Sequence, residues 1–398
     1  MIRLKDTRHP STAAFLSSAI RVAEYYGFKP LDEMTRKPGM SARPKKILKS
    51  DPEIAYARRD ERALASSARK CLSYVRDTGT LLAWRVAHGT TGIPSASLEL
   101  HVMGTGSAIA EAILLVVAHA IIEETGLKER SLSINNIGSY ESSNRFVRDV
   151  GLYLRKHIES ISPTLRPKAV EDPLGTLVQL IERGHPATPR APQPMEYLTE
   201  EERQRFWELL EYLEVFGLQY ELNAHILGSR DCWAHSLFEI SVVDEESSAH
   251  ITIASGGRYD PLATRFAGRP ISAAMISITS EVRGSSRVKR ETHGAPTIYF
   301  AHLGPEARRR SLGVMEILRH AEIPVYQGLC YDRMGEQMTQ ARELATPHIL
   351  IMGYKEAMEG TVVVREVMTN SQDAVPLPDL TAYLKRHHIG AWQIPEKV

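Results

Sequence analysis

Apolar residues recur at helical spacing over residues 11–27, where Phe15, Ile20, Val22, Ala23 and Tyr26 fall roughly on one face and Gly27 supplies the stop. The same spacing predicts helices over 60–76, 106–125 and 143–160. For the 106–125 helix, Ser107 is assigned as N-cap and Gly126 lies just past the end. Residues 81–87 and 97–103 read as two strands around a Gly/Thr/Pro turn, and 131–137 as a strand ending in Asn135-Asn136-Ile137-Gly138. Pro186, Pro189, Pro192 and Pro194 make 184–194 an extended connector, after which Thr199-Glu200-Glu201-Glu202 opens another helix with a capping pattern. From 218 to Ile278 the pattern is strand-like. Long helices followed by an irregularly spaced, strand-rich stretch predict an α+β fold rather than a strict βαβ repeat.

The character changes at 283–295, where Arg283, Gly284, Ser285, Ser286, Arg287, Lys289, Arg290 and Gly294 suggest a linker. Beyond it the pattern is β-α-β-α-β. A strand at 297–300, a helix at 305–320, a strand at 324–326, a helix at 333–344, a strand at 348–352 and a late strand at 360–364 make a small parallel or mixed α/β domain. The expected organisation is a core over 1–282 with a helical insertion near 172–217, a linker over 283–295, and a second domain over 296–390.

Bulk properties narrow the class. The 398 residues are 43% hydrophobic and 24% charged, with a net charge of +1, so no global electrostatic bias favours nucleic acid. Cys71, Cys232 and Cys330 lie far apart and form no CxxC pair, which fits reduced thiols and a cytoplasmic setting. The longest apolar stretch, Ile109 to Ile122, is interrupted by Glu111 and His119 and is too short and polar to span a bilayer. No membrane partner and no metal site are expected. Six basic residues between 35 and 52 (Arg36, Lys37, Arg43, Lys45, Lys46, Lys49) mark a loop or solvated basic segment, with RNA phosphate contact as the alternative.

The strongest local signal is Ser255-Gly256-Gly257-Arg258-Tyr259-Asp260-Pro261-Leu262, preceded by the strand-like His250 to Ala254. Paired glycines break the run and let the backbone approach a ligand, and the next residues supply a cation, a phenol and a carboxylate. This octet resembles the GGRYD signature of the histidyl-tRNA synthetase family, class II aminoacyl-tRNA synthetases. Ile134-Asn135-Asn136-Ile137-Gly138 with Arg145, Asp172-Pro173-Leu174-Gly175, and Ile349 to Glu356 followed by Gly360-Thr361-Val362 resemble further family segments in the same order. The resemblance covers most of the chain. It implies an antiparallel synthetase core flanked by helices and followed by an anticodon-binding-like domain. Tyr25-Tyr26-Gly27-Phe28 matches the first-motif helix, which implies a homodimer. Histidine or an analogue, tRNA, and ATP with Mg²⁺ in an active enzyme are the implied ligands and partners.

Amino-acid activation brings a carboxylate oxygen to the α-phosphorus of ATP and expels pyrophosphate, so the protein's work is chiefly to neutralise phosphate charge with cations. The resemblance assigns Arg85 to catalysis and ATP binding, Glu99 to the acidic position of the second motif, and Glu281 to ATP binding through the third. Between Arg85 and Glu99 the loop holds no Lys or Arg, and a glutamine position is Val102. In the histidine-specific motif, Asp231, Phe238 and Glu239 match, but the arginine position is Gly228 and two tyrosines are Cys232 and Trp233. Arg230, two residues on, would share a strand face with Gly228 and is the candidate substitute. The third motif's arginine is Val282 and a glycine is Thr279. A one-residue shift to Arg283 would turn a helical side chain by about 100°. Asp60 in Arg58-Arg59-Asp60 is assigned to the substrate amino group, and Asp231, Gly256, Gly257, Arg258 and Tyr259 join Asp60 and Glu99 as substrate-binding candidates.

From Glu291 onward, 11 Lys and Arg face 13 Asp and Glu, with Arg308-Arg309-Arg310 the local basic patch. Three readings follow: a paralogue with degraded histidine activation that binds histidine, nucleotide, tRNA or a protein partner; an active histidine–tRNA ligase with a rearranged site; and a regulator resembling the regulatory subunit of ATP phosphoribosyltransferase.

Overall fold

A computed structural model describes residues 1–31, 34, 59–74, 79–89, 93–127, 130–243, 249–288, 294–390 and 392–393, with backbone only for 59–62 and 392–393. The basic segment over 35–52 lies outside these residues, as does Arg58.

Eight strands form the first sheet: β1 (Lys29–Pro30), β2 (Leu81–Gly89), β3 (Ser95–Met103), β4 (Arg130–Asn136), β5 (Glu221–Leu222), β6 (Ala234–Val243), β7 (His250–Arg258) and β8 (Ala273–Glu281), in the order β1-β2-β3-β8-β7-β6-β4-β5. All pairs from β2 to β4 along this order are antiparallel. In register, Arg85 faces Glu99, Leu98 faces Ile278 and Gly256 faces Ile276. Strand alternation gives the sheet two unlike faces. Leu98, Leu100, Val102, Ala274, Ile276 and Ile278 pack into the main core. Ala83, Met103, Ala273 and Met275 belong to a second cluster on the other side.

The helices of the core are α1 (Thr12–Tyr25), α2 (Arg59–Leu72), α3 (Ile109–Thr125), α4 (Tyr140–Lys156), α5 (Arg166–Glu171), α6 (Pro173–Glu182), α7 (Glu200–Phe216) and α8 (Asp260–Ala267). Helix α3 is apolar nearly all round because it lies between the sheet and helices α1 and α7. Its N-cap is Ala108 without a side-chain cap, not Ser107, whose carbonyl instead accepts from Arg258 Nη2 at 3.3 Å. At its other end Gly126 takes a left-handed conformation (φ 79°). Thr199 and Glu202 close the capping box expected for α7. Within the strand-like stretch after 218, Asp260–Ala267 is helical, and two 3₁₀ turns, Thr188–Arg190 and Pro194–Tyr197, occupy the proline-rich connector. Asp172 caps α6 by accepting from Gly175 N at 2.9 Å, with Pro173 at the first helical position.

The C-terminal sheet contains β10 (Ile298–His302), β11 (Tyr326–Gln327), β12 (His348–Met352), β13 (Thr361–Glu366) and β14 (Gln372–Pro376), in the order β11-β10-β12-β13-β14. A short pair of β9 (Ala295–Pro296) and β15 (Trp392–Gln393) precedes and follows it. Helices α9 (Pro305–His320), α10 (Met334–Glu343), α11 (Tyr354–Glu359) and α12 (Leu377–Arg386) complete this part. Pairing is parallel around β10 and antiparallel beyond β12, so the sheet is mixed as expected. Strand β14 and helix α12 extend the pattern beyond the last strand read from the sequence.

Helix α9 docks this part onto the core. Tyr25 donates to the Ile323 carbonyl at 2.9 Å, and Tyr26 donates to Glu316. Gln327 Nε2 donates to the Tyr26 carbonyl at 3.0 Å, and Arg319 pairs with Glu124 at 2.7 Å. Tyr26 and Phe28, placed by the sequence at a first-motif interface, are therefore buried by their own chain. No helix among the described residues is long and apolar enough to cross a membrane.

Candidate functional site

The second cluster sits where α2 and α8 cover β2, β3, β7 and β8. Its floor is crossed by a line of polar side chains on odd-numbered positions of neighbouring strands. Arg85 on β2 donates to Glu99 on β3 at 2.9 Å and also to Ser67 on α2. Glu99 Oε2 lies 3.6 Å from His101 Nε2, and the other ring nitrogen of His101 shares a hydrogen bond of 2.9 Å with the Tyr259 hydroxyl. All four residues are buried or nearly so: His101 and Tyr259 are fully enclosed, and the Arg85 side chain is 14% exposed. Burial opposes charge on Glu99, yet His101 and Arg85 hold its carboxyl below the ordinary range. Burial likewise opposes charge on His101, yet Cys71 and Glu99 lift its imidazole to about 9. The Tyr259 phenol is pushed well above its ordinary range, chiefly by burial.

The glycine pair does not end the strand: β7 runs on through Gly256 and Gly257 to Arg258. A side chain at Gly256 would meet the Met275 carbonyl at 2.1 Å, and one at Gly257 the Ser236 carbonyl at 2.5 Å. Both glycines serve close strand packing. Tyr259, just past the strand, turns to His101, while Arg258 turns to the opposite face of the sheet. There its guanidinium, 1% exposed, donates to both oxygens of Glu111, to Asp260, and to the carbonyls of Thr105 and Ser107. Glu111 also accepts from Arg205 and Ser236, each at 2.6 Å. Despite burial, Arg205 and Arg258 hold the Glu111 carboxyl far below the usual carboxylate range. Asp260 accepts from Ala273 N at 2.7 Å, and burial raises its pKa.

The Gly228 to Trp233 segment is an irregular turn rather than a strand, so Arg230 and Gly228 do not share a strand face. A side chain at Gly228 would lie 2.5 Å from Trp233 Cδ1, so the indole occupies the space over the glycine. Trp233 and Cys232 join the same cluster as Tyr259 and Met275. The Arg230 guanidinium lies 5.8 Å from the Tyr140 ring centroid, and Asp231 N is 3.3 Å from Ser229 Oγ.

At the far end, 273–281 is a strand and not a helix, so a one-residue shift reverses the face. Glu281 accepts from Leu4 N at 2.8 Å, and Thr279 Oγ1 is 2.8 Å from Ser97 Oγ. Val282 and Arg283 are exposed beyond the strand, with Arg283 N donating to Thr12 at 2.7 Å. Asp60 falls in the first turn of α2, but its side chain lies outside the described residues.

The geometry therefore brings Arg85, Glu99 and Tyr259 together through His101. It separates them from Arg258, which faces the other side of the sheet, and from Glu281, which binds the N-terminal segment. Sequence reasoning missed His101, Glu111, Arg205 and Cys71. The available signal was Glu111 itself, an acid in an otherwise apolar helix that requires a buried partner.

A model of the anticodon binding domain matches residues 298–387. The histidine–tRNA ligase of Cyanothece sp. (strain PCC 7425 / ATCC 29141) is 26% identical over 285 residues, which are 71% of this chain and 66% of that protein. The chain thus spans just under two thirds of that relative's length. The histidine–tRNA ligase of Bacillus subtilis (strain 168) is 26% identical over 295 residues, 73% of this chain and 70% of that protein. The chain is thus similar to histidine–tRNA ligases over most of its length, and its C-terminal part matches the anticodon binding domain. Apo S. aureus histidyl-tRNA synthetase aligns over 93% of this chain and 94% of its own, at 17% identity and a TM-score of 0.47.

Proposed function

We propose that this histidyl-tRNA synthetase-like chain is a paralogue in which histidine activation is degraded and binding is retained. The observation that carries this reading is Trp233 lying over Gly228, at the position the family motif gives to an arginine. The remaining arginines of the motifs support it. Arg85 is neutralised by Glu99, and Arg258 by Glu111 on the opposite face. ATP with Mg²⁺ is the cofactor set of an active relative, but the described residues do not fit a triphosphate here. Glu281 is engaged by the N-terminal segment, Val282 replaces a cation, and the loop from Ala87 to Ser97 contains no Lys or Arg. The domain over 298–387 makes tRNA the first partner to test, and a cytoplasmic homodimer rests on the family resemblance alone, since Tyr26 and Phe28 are covered by their own chain. The test is histidine-dependent exchange between ATP and pyrophosphate by the purified protein: we expect none above background, and a rate comparable to an ordinary synthetase overturns the proposal.

One observation favours an active ligase with a rearranged site. Among the described residues, Arg230 forms no ion pair, so its charge is available to a ligand. In that case Arg230→Ala abolishes exchange.

A further inference from the structure

A cavity of about 220 Å³ lies apart from the His101 line, between the C-terminal half of α3, the start of β4 and the turn after α7. Its floor is apolar, formed by Leu115, Ile122, Leu132 and Ile240. Its polar side is His119, Arg130, Ser131 and Gln219. His119 is the second polar residue that interrupts the apolar stretch of α3; Glu111, the first, is satisfied by Arg258 and Arg205.

The partners of Arg130 are unusual for a half-buried cation. Nη2 donates to His119 Nε2 at 2.9 Å, and Nη1 donates to the Leu127 carbonyl at 3.4 Å. Among the described residues it has no carboxylate partner. Accepting from Arg130 requires His119 to be neutral, and burial followed by the Arg130 charge lowers its pKa to about 4. The imidazole thus orients the guanidinium without adding charge. Ser131 is already engaged with Ser241 at 2.9 Å, whereas Gln219 is exposed at the mouth. Among the described residues, then, an oriented cation beside an apolar floor meets no carboxylate, and a partly desolvated guanidinium favours such a counter-charge.

We infer that this cavity binds a small monocarboxylate with an aromatic or branched apolar body, its carboxylate on Arg130 and its body on Leu115, Ile122, Leu132 and Ile240. One cation selects one negative charge. The volume is below the roughly 300 Å³ at which drug-sized pockets begin, so the ligand is small. The site is independent of histidine activation, because its residues lie on the α3 side of the sheet and none belongs to the Arg85–Tyr259 line.

The test is calorimetric titration of the full chain with benzoate and, separately, with neutral benzyl alcohol. Benzoate is expected to bind saturably at one site, about tenfold or more tighter than benzyl alcohol. Arg130→Gln removes that preference, and Gln219→Trp blocks binding of both probes from the solvent side, which keeps the test decisive should one variant fold poorly. Equal affinity for the two probes, unchanged benzoate binding in Arg130→Gln, or no saturation by roughly 10 mM benzoate overturns the inference.

Discussion

The Arg258 guanidinium donates from Nη2 to Glu111 Oε2 at 2.7 Å and from Nε to Glu111 Oε1 at 3.2 Å, tying the signature arginine to the central helix. Both side chains are essentially inaccessible, so neither can lose its partner and turn to water. This pair gives the arginine after two glycines a structural role that does not involve the face carrying Tyr259. It joins β7 to α3, and through Arg205 it also joins α7.

Breaking that pair is predicted to be costly. Glu111→Ala or Arg258→Ala strands a buried charge and should lower unfolding free energy by about 3–5 kcal/mol. In a cycle of Glu111→Leu, Arg258→Met and the double variant, the double should cost less than the sum of its two single changes, because neither buried charge is then left without the other, and Arg205 is partly exposed and can recover solvent. Urea denaturation of the four proteins reads the coupling; strictly additive losses would show that the charges are not acting as one unit.

A second prediction concerns Trp233. With a carbon at position 228 only 2.5 Å from Trp233 Cδ1, Gly228→Ala is expected to destabilise the chain by about 1–3 kcal/mol through overpacking. In a Trp233→Ala background the same change should be nearly neutral. A thermal-melt double-mutant cycle checks this, and an equal penalty in both backgrounds would remove the claim that the indole occupies the space over Gly228.

How much of this was legible beforehand follows from what each pattern encodes. The α+β class, the capping box at Thr199 and the mixed C-terminal sheet rest on local periodicity and turn chemistry, which are written in consecutive residues. The GGRYD octet carries a family resemblance but not its own local geometry. Paired glycines suggest a strand end, whereas neighbouring backbones at Met275 and Ser236 demand them within one. The His101 line and the Glu111 cluster depend on residues brought together across strands and helices far apart in sequence, as with His101 and Tyr259. Helix α8 was hidden because eight residues between two strands carry too little periodicity to stand out.

The two arginines of the candidate site should behave differently. Arg85→Ala leaves Glu99 buried beside one fewer cation, so it should lower the melting temperature. Arg230→Ala removes a contact to the exposed Tyr140 ring of at most about 1 kcal/mol and should leave stability nearly unchanged. Neither change should create or remove histidine-dependent pyrophosphate exchange if activation is degraded. Loss of a measurable wild-type rate by orders of magnitude in both would instead establish the rearranged ligase.

The His101 line gives a pH signature. Its imidazole is lifted from an ordinary 6.5 to about 9 by Cys71 and Glu99, against the opposing effect of burial. A histidine whose folded pKa is raised adds stability that is fully present below its unfolded pKa and is lost as pH climbs through the folded value. Unfolding free energy is therefore expected to decline between pH 6.5 and about 9, and His101→Gln should flatten that decline. Tyr259→Phe removes the hydrogen bond at the other ring nitrogen while keeping the Glu99 contact, so most of the slope should remain. Denaturant melts across this range, with the His101 ring titrated by NMR, check both statements. A ring that titrates near its ordinary value, or a slope untouched by His101→Gln, would show that the imidazole is not held charged between Glu99 and Tyr259.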